Sequence, residues 1–310
     1  MIQETQIRSI LEVCKEGNIT RAANNIFISQ PALSRIIKDT EKRLGIKLFE
    51  YRDKKLVPTE EGRRYIEGCY DVLSVYHATL KEINDLKDET TGVIRLGISY
   101  QMALFVLPSI LGQFREAYPN VRLELVEGKI NELENRVRDG ISDMAIVYAD
   151  SNENLSYHYL ASDPVYIQVP PVYYSSQDSW NYGFDNKQLD IKDIFGEPFI
   201  LLKKGRGMRR ISDAVFSQKE ITPHIVMETD SINLAYELVN ANFGFTFIAK
   251  TAATMYGKFG SFVCCPVEGM NLSRNIYICT QKNMYLSKAS RFLIGLIRNR
   301  LAENCEVNFV

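Results

Sequence analysis

The chain contains 310 residues, with 37 Lys or Arg and 38 Asp or Glu, and its formal net charge is −1 at pH 7. Apolar residues make up 45% and charged residues 24%, which is typical of a globular chain of roughly two domains and excludes a disordered or fibrous protein. No apolar run approaches the roughly 18 residues of a membrane span, and the N-terminus lacks a signal peptide, so we expect a cytoplasmic protein without membrane contact. The six cysteines lack Cys-x-x-Cys spacing, which favours reduced thiols.

The charge is unevenly distributed along the chain. Residues 18–65 hold 11 basic and six acidic side chains, a net charge of +5, whereas the remainder carries −6. A locally basic segment is what contact with nucleic-acid phosphates requires, so the small total charge does not exclude that partner. A solvated basic face without any partner is the alternative, and charge alone does not decide between the two.

The first 45 residues predict three short helices. Apolar side chains at helical spacing indicate a helix over residues 2–16, which Gly17 ends because glycine tolerates left-handed geometry. Thr20 is the expected cap of a second helix, and Ser29 is the expected cap of a third helix that ends at Gly45. The third helix has one apolar face, and its opposite face is polar.

A wing and a long helix are predicted next. Short strands at residues 46–51 and 56–58 form the wing, and Thr59 is the expected cap of a helix over residues 59–88. That helix carries a sustained apolar stripe that no neighbouring segment covers. Pairing with a second chain is the favoured interpretation, and packing against the C-terminal half of the same chain is the alternative. Cys69 lies on the stripe, where a small packing residue is favoured over a redox switch.

Beyond a hinge at residues 90–92, strand-like and helical runs alternate, which predicts α/β layers with parallel strands. The predicted strands are residues 93–99, 121–126, 143–148, 165–169, 198–202, 224–228, 244–248, 262–267 and 275–280. The predicted helices lie near residues 103–117, 130–139, 207–218, 231–241 and 287–303.

Residues 18–49 have the pattern of a helix-turn-helix. An α-helix fits the major groove of DNA, and the N-terminal part of a recognition helix meets base edges. Side chains of the third helix can hydrogen-bond to bases, and cations there and on the wing can contact phosphates or the minor groove. The predicted DNA-binding residues are Arg21, Ser29, Gln30, Pro31, Ser34, Arg35, Lys38, Arg52, Lys54 and Lys55.

The N-terminal sequence closely resembles the LysR-type transcriptional regulators. The motif consists of Arg21-Ala22-Ala23, Ser29-Gln30-Pro31-Ala32-Leu33-Ser34, Ile37, Glu41, Leu44-Gly45, Leu48-Phe49 and Thr59-x-x-Gly62, without a gap. The resemblance is weaker beyond residue 92, although the length, the long helix and the α/β remainder agree with the family. One departure is Tyr51, where the family usually has Arg. Because Arg52 comes one place later, a wing contact with phosphate could be shifted or lost.

The resemblance implies an α+β fold: an N-terminal winged helix-turn-helix, a long linker helix and a two-lobed α/β effector domain similar to type 2 periplasmic binding proteins. Such regulators form homodimers or homotetramers, bind operator half-sites in double-stranded DNA and respond to a small-molecule effector. RNA polymerase is a candidate further partner. The implied domains are residues 1–58, 59–89 and 90–310, with lobe I at about 92–162 and 268–303 and lobe II at about 163–267.

An effector is expected at the ends of strands, between the lobes. The segment after the first strand begins a helix, whose N–H groups could hold an anion. Cations at residues 203, 204 and 206 hint at an anionic ligand, but a solvated loop and simple helix caps are the alternatives. The candidate effector-binding residues are Ser99, Tyr100, Gln101, Lys203, Gly205, Thr229 and Phe245, with Ser99, Lys203 and Thr229 preferred.

No catalytic constellation, metal site or cofactor is expected. His77, His158 and His224 lack the spacing of metal ligands, and Gly205-Arg206-Gly207 lacks the third glycine of a dinucleotide site. A metabolic enzyme or a solute-binding protein with a helical extension is the alternative class. The missing catalytic residues weigh against the enzyme, and the missing export signal weighs against the solute-binding protein.

Overall fold

The computed structural model describes residues 4–53, 55–86, 91–148, 155–174, 181–257, 262–282, 284–303 and 305. These residues form a helical unit with a two-stranded wing, a long helix, and two α/β lobes, in that order along the chain. This is the α+β architecture that the sequence predicts. Among the helices of the described part, none is long and apolar enough to cross a membrane.

Three helices open the N-terminal unit. They are α1 (Glu4–Glu16), α2 (Ile19–Asn25) and α3 (Gln30–Leu44). Gly17 and Gly45 follow α1 and α3 in the left-handed conformation, with φ of +58° and +71°, as predicted. Ser29 caps α3, also as predicted, because its hydroxyl accepts a hydrogen bond of 3.3 Å from the amide of Ala32.

The cap of α2 differs from the prediction. Asn18 holds this position, and its side chain accepts a hydrogen bond of 3.0 Å from the amide of Arg21. Both Asn18 and Thr20 are good capping types, so the backbone decides between them. Asn18 is extended, with φ −153° and ψ 121°, whereas Thr20 already lies inside the helix.

The wing consists of β1 (Phe49–Arg52) and β2 (Lys55–Pro58), which pair antiparallel. The first strand begins at residue 49 and not at residue 46 as predicted. Glu41 explains the delay, because its carboxylate accepts hydrogen bonds from the amide of Leu48 (2.9 Å) and from Nζ of Lys47 (3.0 Å). These bonds hold the segment before β1 against the end of α3.

The long helix is α4 (Glu60–Leu86). Thr59 caps it as predicted, since its hydroxyl accepts a hydrogen bond of 2.9 Å from the amide of Gly62. A Cβ at position 62 would lie 2.0 Å from the carbonyl oxygen of Leu48, so only glycine lets α4 approach the wing this closely. Residues 87 and 88 of the predicted helix lie outside the described residues.

The apolar stripe of α4 divides into two parts. Ile66 and Cys69 are buried in the core of the N-terminal unit, beside Leu33 and Leu48. Cys69 is therefore a packing residue of this core. The sequence had placed it on a stripe expected to pair with a second chain, and its burial within its own chain corrects that placement. Tyr65, Tyr70 and Leu73 are half-buried against the same core, whereas the other large apolar side chains described on α4 are exposed: Val72, Val75, Tyr76, Leu80 and Ile83.

Lobe I is built mostly from the segment after α4. Its elements are β3 (Thr91–Ile98), α5 (Tyr100–Ala117), β4 (Asn120–Glu127), α6 (Ile130–Arg138) and β5 (Met144–Val147). β3 lies between β4 and β5 and pairs parallel with both, as predicted. The core contains Ile94, Leu96, Phe105 and Ile146 among others.

A strand of 15 residues, β6 (Leu155–Val169), runs through both lobes. Only residues 165–169 were predicted, because the first half contains many polar residues and lacks a continuous apolar run. The elements of lobe II are α7 (Pro171–Tyr174), β7 (Gly183–Phe184), β8 (Pro198–Leu202), α8 (Gly207–Gln218), β9 (His224–Thr229), α9 (Ile232–Asn240), β10 (Thr246–Ala249), α10 (Lys250–Tyr256) and β11 (Val263–Cys265).

The chain then returns to lobe I with β12 (Ser273–Gln281) and α11 (Lys288–Ala302). The strand order is β4-β3-β5-β12-β6-β11-β7, with β10 also beside β6, while β8 and β9 form a separate parallel pair. The predicted all-parallel arrangement is wrong around β6. Its pairings with β10, β11 and β12 are antiparallel, since the chain leaves lobe I along β6 and comes back beside it. α7, β7 and α10 were not predicted.

Candidate nucleic-acid interface and ligand cleft

One face of α3 carries polar side chains that point away from the core. Gln30, Pro31, Arg35 and Lys38 are exposed, and Ser34 is half-buried. Their spacing places them on adjoining turns of one helix face, opposite the buried side chains of the same helix. The arrangement is a polar helix surface that begins at the N-terminus of α3, the end that a recognition helix presents to base edges.

Two further residues of the predicted interface are held by the N-terminal unit itself. The hydroxyl of Ser29 caps α3, so its oxygen is engaged by the backbone. Nη2 of Arg21 donates a hydrogen bond of 2.9 Å to the carbonyl of Glu16, and its Nε lies 3.7 Å from the Glu16 carboxylate. Arg21 therefore reinforces the junction between α1 and α2, and its guanidinium is still largely exposed.

The wing presents exposed side chains beside α3. Arg52 makes an ion pair of 2.5 Å with Glu50, and Lys55 is opposite Arg52 in the register of the wing. Tyr51, the residue that departs from the family pattern, has 74% of its surface exposed. Lys54, which was also predicted to contact DNA, lies outside the described residues.

The cations of this surface differ in whether a carboxylate lies near them. Lys38 and Lys55 are exposed and make no ion pair within the described ranges. Arg35 lies 3.7 Å from Asp39, and both side chains are well exposed, so the pair is weak and water-screened. Exposed cations without a tight carboxylate partner are suited to contacts with phosphate.

The first group of predicted ligand residues lies where β3 ends and α5 begins. Ser99 caps α5, with its hydroxyl 3.5 Å from the amide of Met102, and also contacts the hydroxyl of Tyr148. Tyr100 is exposed and Gln101 is half-buried. Burial raises the pKa of Tyr256 in lobe II to about 12, with smaller contributions from Tyr100 and Tyr148. Tyr100 and Tyr148 of lobe I therefore lie close enough to Tyr256 of lobe II to affect its pKa.

The second group lies at the ends of β8 and β9 in lobe II. The amide of Lys203 donates to the carbonyl of Thr229 (2.9 Å), and the hydroxyl of Thr229 accepts from the amide of Ser231 (3.0 Å). Gly205 adopts φ +87° in the turn before α8. Asp230 pairs with Nζ of Lys203 (3.1 Å) and with Arg206 (2.9 Å).

Asp230 changes the expected electrostatics of that loop. Hydrogen bonds from Arg206 and then from Lys203 lower the pKa of the Asp230 carboxyl, so it is ionised at neutral pH. Two of the three cations that hinted at an anionic ligand are thereby paired. The hydroxyl of Thr229 accepts a hydrogen bond from the amide of Ser231. This agrees with the alternative that the hydroxyls at this strand end are simple helix caps.

Phe245 does not lie with the other candidates. Its side chain is fully buried, with its ring 4.8 Å from that of Tyr173 and 5.8 Å from that of Phe199. Its amide donates to the carbonyl of Pro198, at the start of β8, whereas Lys203 follows the end of β8. Phe245 thus occupies the opposite edge of the sheet from Lys203 and Thr229. Phe245 belongs to the predicted strand 244–248, but the sequence does not show which end of that strand faces the cleft.

Four residues that the sequence did not single out meet where the chain crosses between lobes. The Asp163 carboxylate, which is fully buried, accepts hydrogen bonds from Nη2 of Arg274 (2.8 Å) and from the hydroxyl of Thr251 (2.7 Å). The Arg274 guanidinium lies 4.0 Å from the ring centre of Tyr148. Asp163 lies in β6, Arg274 in β12 and Thr251 in α10. Only the pairing of these elements in the fold identifies the cluster.

The described residues contain no group of three or more His, Cys, Asp or Glu side chains placed to hold a metal ion. Nδ1 of His224 lies 3.3 Å from the carbonyl oxygen of Gly196, which is an ordinary polar contact. The side chain of His77 is outside the described part of the chain. Cys264 and Cys265 belong to different core clusters, so their thiols face opposite sides of the strand, as predicted.

Two family models match this chain. Residues 5–63 match the model described as bacterial regulatory helix-turn-helix protein, lysR family, and residues 87–302 match the model described as LysR substrate binding domain. The two matches cover the interface on α3 and both lobes.

Relatives and solved structures agree with those matches. The chain is 26% identical over 293 residues to a probable RuBisCO transcriptional regulator of Trichormus variabilis, covering 92% of this chain and 84% of the relative. It is 27% identical over 292 residues to one of Porphyra purpurea, covering 92% and 90%. A full-length OxyR variant from Pseudomonas aeruginosa has a TM-score of 0.72 at 18% identity, covering 98% of this chain and 96% of that chain. CbnR complexed with its target DNA has a TM-score of 0.60 at 16% identity, covering 97% and 99%.

Proposed function

The chain belongs to the LysR family of bacterial helix-turn-helix regulators, and from this premise we propose that it binds spaced half-sites in double-stranded DNA under the control of a small molecule held between its lobes. The family and the matched relatives are transcriptional regulators and not enzymes, which removes the metabolic-enzyme alternative.

The observation that carries the DNA-binding proposal is the exposed polar face of α3. Gln30 and Arg35 stand at the N-terminal half of the helix, where side chains reach base edges in the major groove. Lys38 and Lys55 are exposed cations without an ion pair among the described residues, which suits them to contacts with phosphates. Phosphate contacts position the helix, and the base contacts select the sequence.

The exposed part of α4 supports the proposal that the chain associates with a second copy. Five large apolar side chains of this helix remain in contact with water in the single chain, although the first half of the helix is packed in its own core. An apolar stripe of this kind is stabilised by pairing with the same stripe of a second chain. A dimer would bring two copies of α3 to one duplex, so dimers, or tetramers built from them, are part of the proposal.

The effector is proposed to bind where the lobes meet. Ser99, Tyr100 and Gln101 from lobe I, and Tyr256 from lobe II, offer polar groups at this junction. Binding there would act on transcription only through different affinities for two arrangements of the lobes. RNA polymerase is a candidate partner in that step. A thermal-shift screen of small metabolites tests the ligand, because a molecule that binds only the folded chain raises its apparent stability.

The DNA proposal is tested by selecting duplexes from a random library with the full-length chain and titrating the selected duplex by fluorescence anisotropy. Arg35→Ala should raise the dissociation constant by about 10-fold or more, which corresponds to about 1.4 kcal/mol and is within the range for a base-contacting arginine. Arg298→Ala removes an exposed arginine of α11 and serves as the matched control, with no change expected.

Three outcomes would each contradict a part of the proposal. Selection that enriches no sequence would argue against specific DNA recognition. Unchanged affinity of Arg35→Ala, with the fold intact by circular dichroism, would show that α3 is not the reading helix. A monomer by light scattering in the presence of the selected duplex would remove the role of α4.

A further inference from the structure

In the part of the chain that the structure describes, the effector domain makes a small contact with the middle of the long helix. Ser74 on α4 meets the side chain of Gln281, the last residue of β12. Nε2 of Gln281 also donates a hydrogen bond of 2.7 Å to the carbonyl of Arg138, the last residue of α6. The turn that follows α6 is thereby fixed to the end of β12, and both face α4.

Gly140 brings the backbone of that turn close to α4. A Cβ at this position would lie 3.8 Å from the Cβ of Ser74 and 3.8 Å from the carbonyl oxygen of Tyr70. The backbone of Gly140 has φ +67°, which glycine adopts without strain. The turn and the helix therefore meet at van der Waals distance along one turn of α4.

The surroundings of Asp139 extend the same contact to the N-terminal helices. Burial, followed by the charge of Asp139, raises the pKa of Tyr70 on α4 and of Cys14 on α1 above their ordinary values. The Asp139 carboxylate itself is half-buried and pairs with Arg138 at 2.8 Å. The charge of Asp139, which is next to Gly140 in the same turn, thus acts on residues of both α4 and α1.

Two neighbouring strands connect this contact to the ligand cleft. β5 and β12 pair antiparallel, with Val147 opposite Tyr277 and Ala145 opposite Cys279. At one end, Tyr148 follows β5 and its ring packs against Arg274 of β12. At the other end, the turn after α6 precedes β5, and Gln281 ends β12. The nine residues of β12 span about 27 Å between the two ends.

The helix α6 makes the turn move with these strands. Leu133 and Val137 of α6 share one buried cluster with Ala145 of β5 and Cys279 of β12. A packed cluster of this kind shifts as a unit, since close-packed interiors have little free space to absorb motion. A displacement of the strand ends at Tyr148 or Arg274 would therefore be carried to the turn at Gly140.

We propose that the surface formed by the 138–141 turn and Gln281 docks on α4 at Tyr70 and Ser74, and that this docked contact couples the lobe cleft to the orientation of α3. The partner of this surface is the long helix of the same chain. The inference rests on the proposed function for its consequence, which is control of DNA binding, but the contact and the strand connection do not depend on DNA. Few residues hold the contact, so a ligand at the cleft has little to overcome in order to change it.

Disulfide trapping tests the docking. The 3.8 Å separation of Cβ positions lies in the range that a disulfide requires, so Ser74→Cys combined with Gly140→Cys should form an intrachain bond when the full-length chain is oxidised with diamide. Val75→Cys with Gly140→Cys is the matched control, because residue 75 projects about 100° away around the helix and should give no intrachain product. Each single cysteine variant reports any capture by natural thiols.

A second measurement avoids the strain of a side chain at Gly140. Gln281→Ala should speed amide hydrogen exchange in residues 70–76 by threefold or more, because it removes the contact with Ser74 and the bond to Arg138. Gln188→Ala, which removes an exposed glutamine of lobe II, should leave that exchange unchanged. Absence of both the intrachain disulfide and the exchange effect would overturn the docking.

The coupling is tested at the far end of β5. Tyr148→Phe removes the hydroxyl that contacts Ser99 and should change the rate of disulfide formation between positions 74 and 140 by threefold or more. Tyr182→Phe, at an exposed tyrosine of lobe II, should leave the rate unchanged. Equal rates for Tyr148→Phe and the parent double variant would overturn the coupling.

The last measurement is the affinity for DNA. The oxidised double variant should bind the selected duplex with an affinity at least threefold different from its reduced form, while the wild-type chain shows no such redox effect. Equal affinities would overturn control of DNA binding by the contact. Failure to select any duplex would instead contradict the proposed function. The disulfide and hydrogen-exchange measurements do not use DNA, so they would still decide whether the docked contact exists.

Discussion

Basic side chains have different surroundings in the two halves of the molecule. In the N-terminal unit, Lys38 and Lys55 are exposed and without an ion pair among the described residues. In the effector domain, Arg274 is bound by the buried carboxylate of Asp163, and Arg209 is nearly buried between Asp213 and Glu228. The first kind of cation is open to an external anion, and the second kind already has its anion within the fold.

The difference separates recognition from architecture. A phosphate contact gains from counterion release only where the cation is not already neutralised. A buried cation, by contrast, is stable only with its carboxylate, because desolvation of an unpaired charge costs several kcal/mol. We therefore expect changes to the buried pairs to alter stability, and changes to the exposed cations to alter DNA binding alone.

The largest effect is expected from Asp163→Asn. Removal of the buried charge leaves Arg274 without its anion and weakens the link to Thr251, so the free energy of unfolding should fall by about 3 kcal/mol. Urea denaturation at pH 7 measures it. Asp230→Asn is the control, since Asp230 is exposed and its loss should change stability little. Equal, small losses of stability for both variants would show that the buried and the exposed ion pairs contribute alike.

A buried carboxylate that accepts backbone hydrogen bonds offers a pH test within lobe II. Asp185 accepts hydrogen bonds from the amides of Asn181 (2.7 Å) and Lys187 (2.9 Å), and these bonds lower the pKa of its carboxyl. A lowered pKa in the folded chain contributes stability above the unfolded pKa of about 3.9, and that stability is lost as the pH falls through the lower folded value.

Asp185→Asn should therefore reduce the free energy of unfolding at pH 7 by about 1.5 kcal/mol, the scale of a charge-assisted hydrogen bond. The difference from wild type should shrink as the pH falls below about 4. Urea denaturation between pH 7 and pH 3 measures the difference, with Asp193→Asn as an exposed control. A difference that stays constant over this range would show that the charge of Asp185 does not stabilise the loop.

The exposed cations are tested by salt. Lys38→Ala should lower the slope of log affinity against log salt concentration by about 0.9 for the selected duplex, the value for one phosphate contact, without changing the preferred sequence. Lys204→Ala removes an exposed lysine of lobe II and should leave the slope unchanged. An equal fall in slope for both variants would mean that cations of the two halves are equivalent toward DNA.

Local signals made the N-terminal unit predictable from sequence. Ser29, Gly45 and Thr59 act at helix ends through their own backbone neighbours, so their roles could be read without the fold. Asn18 was missed because two capping residues lie within three positions, and only the backbone of Asn18 decides between them. The late start of β1 was missed because the carboxylate of Glu41 acts across seven residues.

The ligand cleft could be predicted only in part, because strand order brings its residues together. Ser99 and Thr229 follow strands that the apolar pattern identified, and the structure places both at strand ends. Phe245 was placed at the wrong edge, since the sequence does not reveal which end of a strand faces the cleft. Asp163 and Arg274 are 111 residues apart and meet only through the long strand β6. The first half of β6 was not predicted, because its residues are largely polar.

The smallest effect is expected at Lys203, which is paired like the buried cations of the effector domain but exposed like the cations of the N-terminal unit. Lys203 pairs with Asp230, but both side chains remain more than half exposed, at 56% and 53%. Lys203→Ala should therefore change the free energy of unfolding by no more than about 0.5 kcal/mol in urea denaturation, because water screens an exposed pair and Arg206 still holds Asp230. A loss above about 1 kcal/mol would instead place this loop with the buried pairs, and would mean that charge pairing at the end of β8 holds lobe II together.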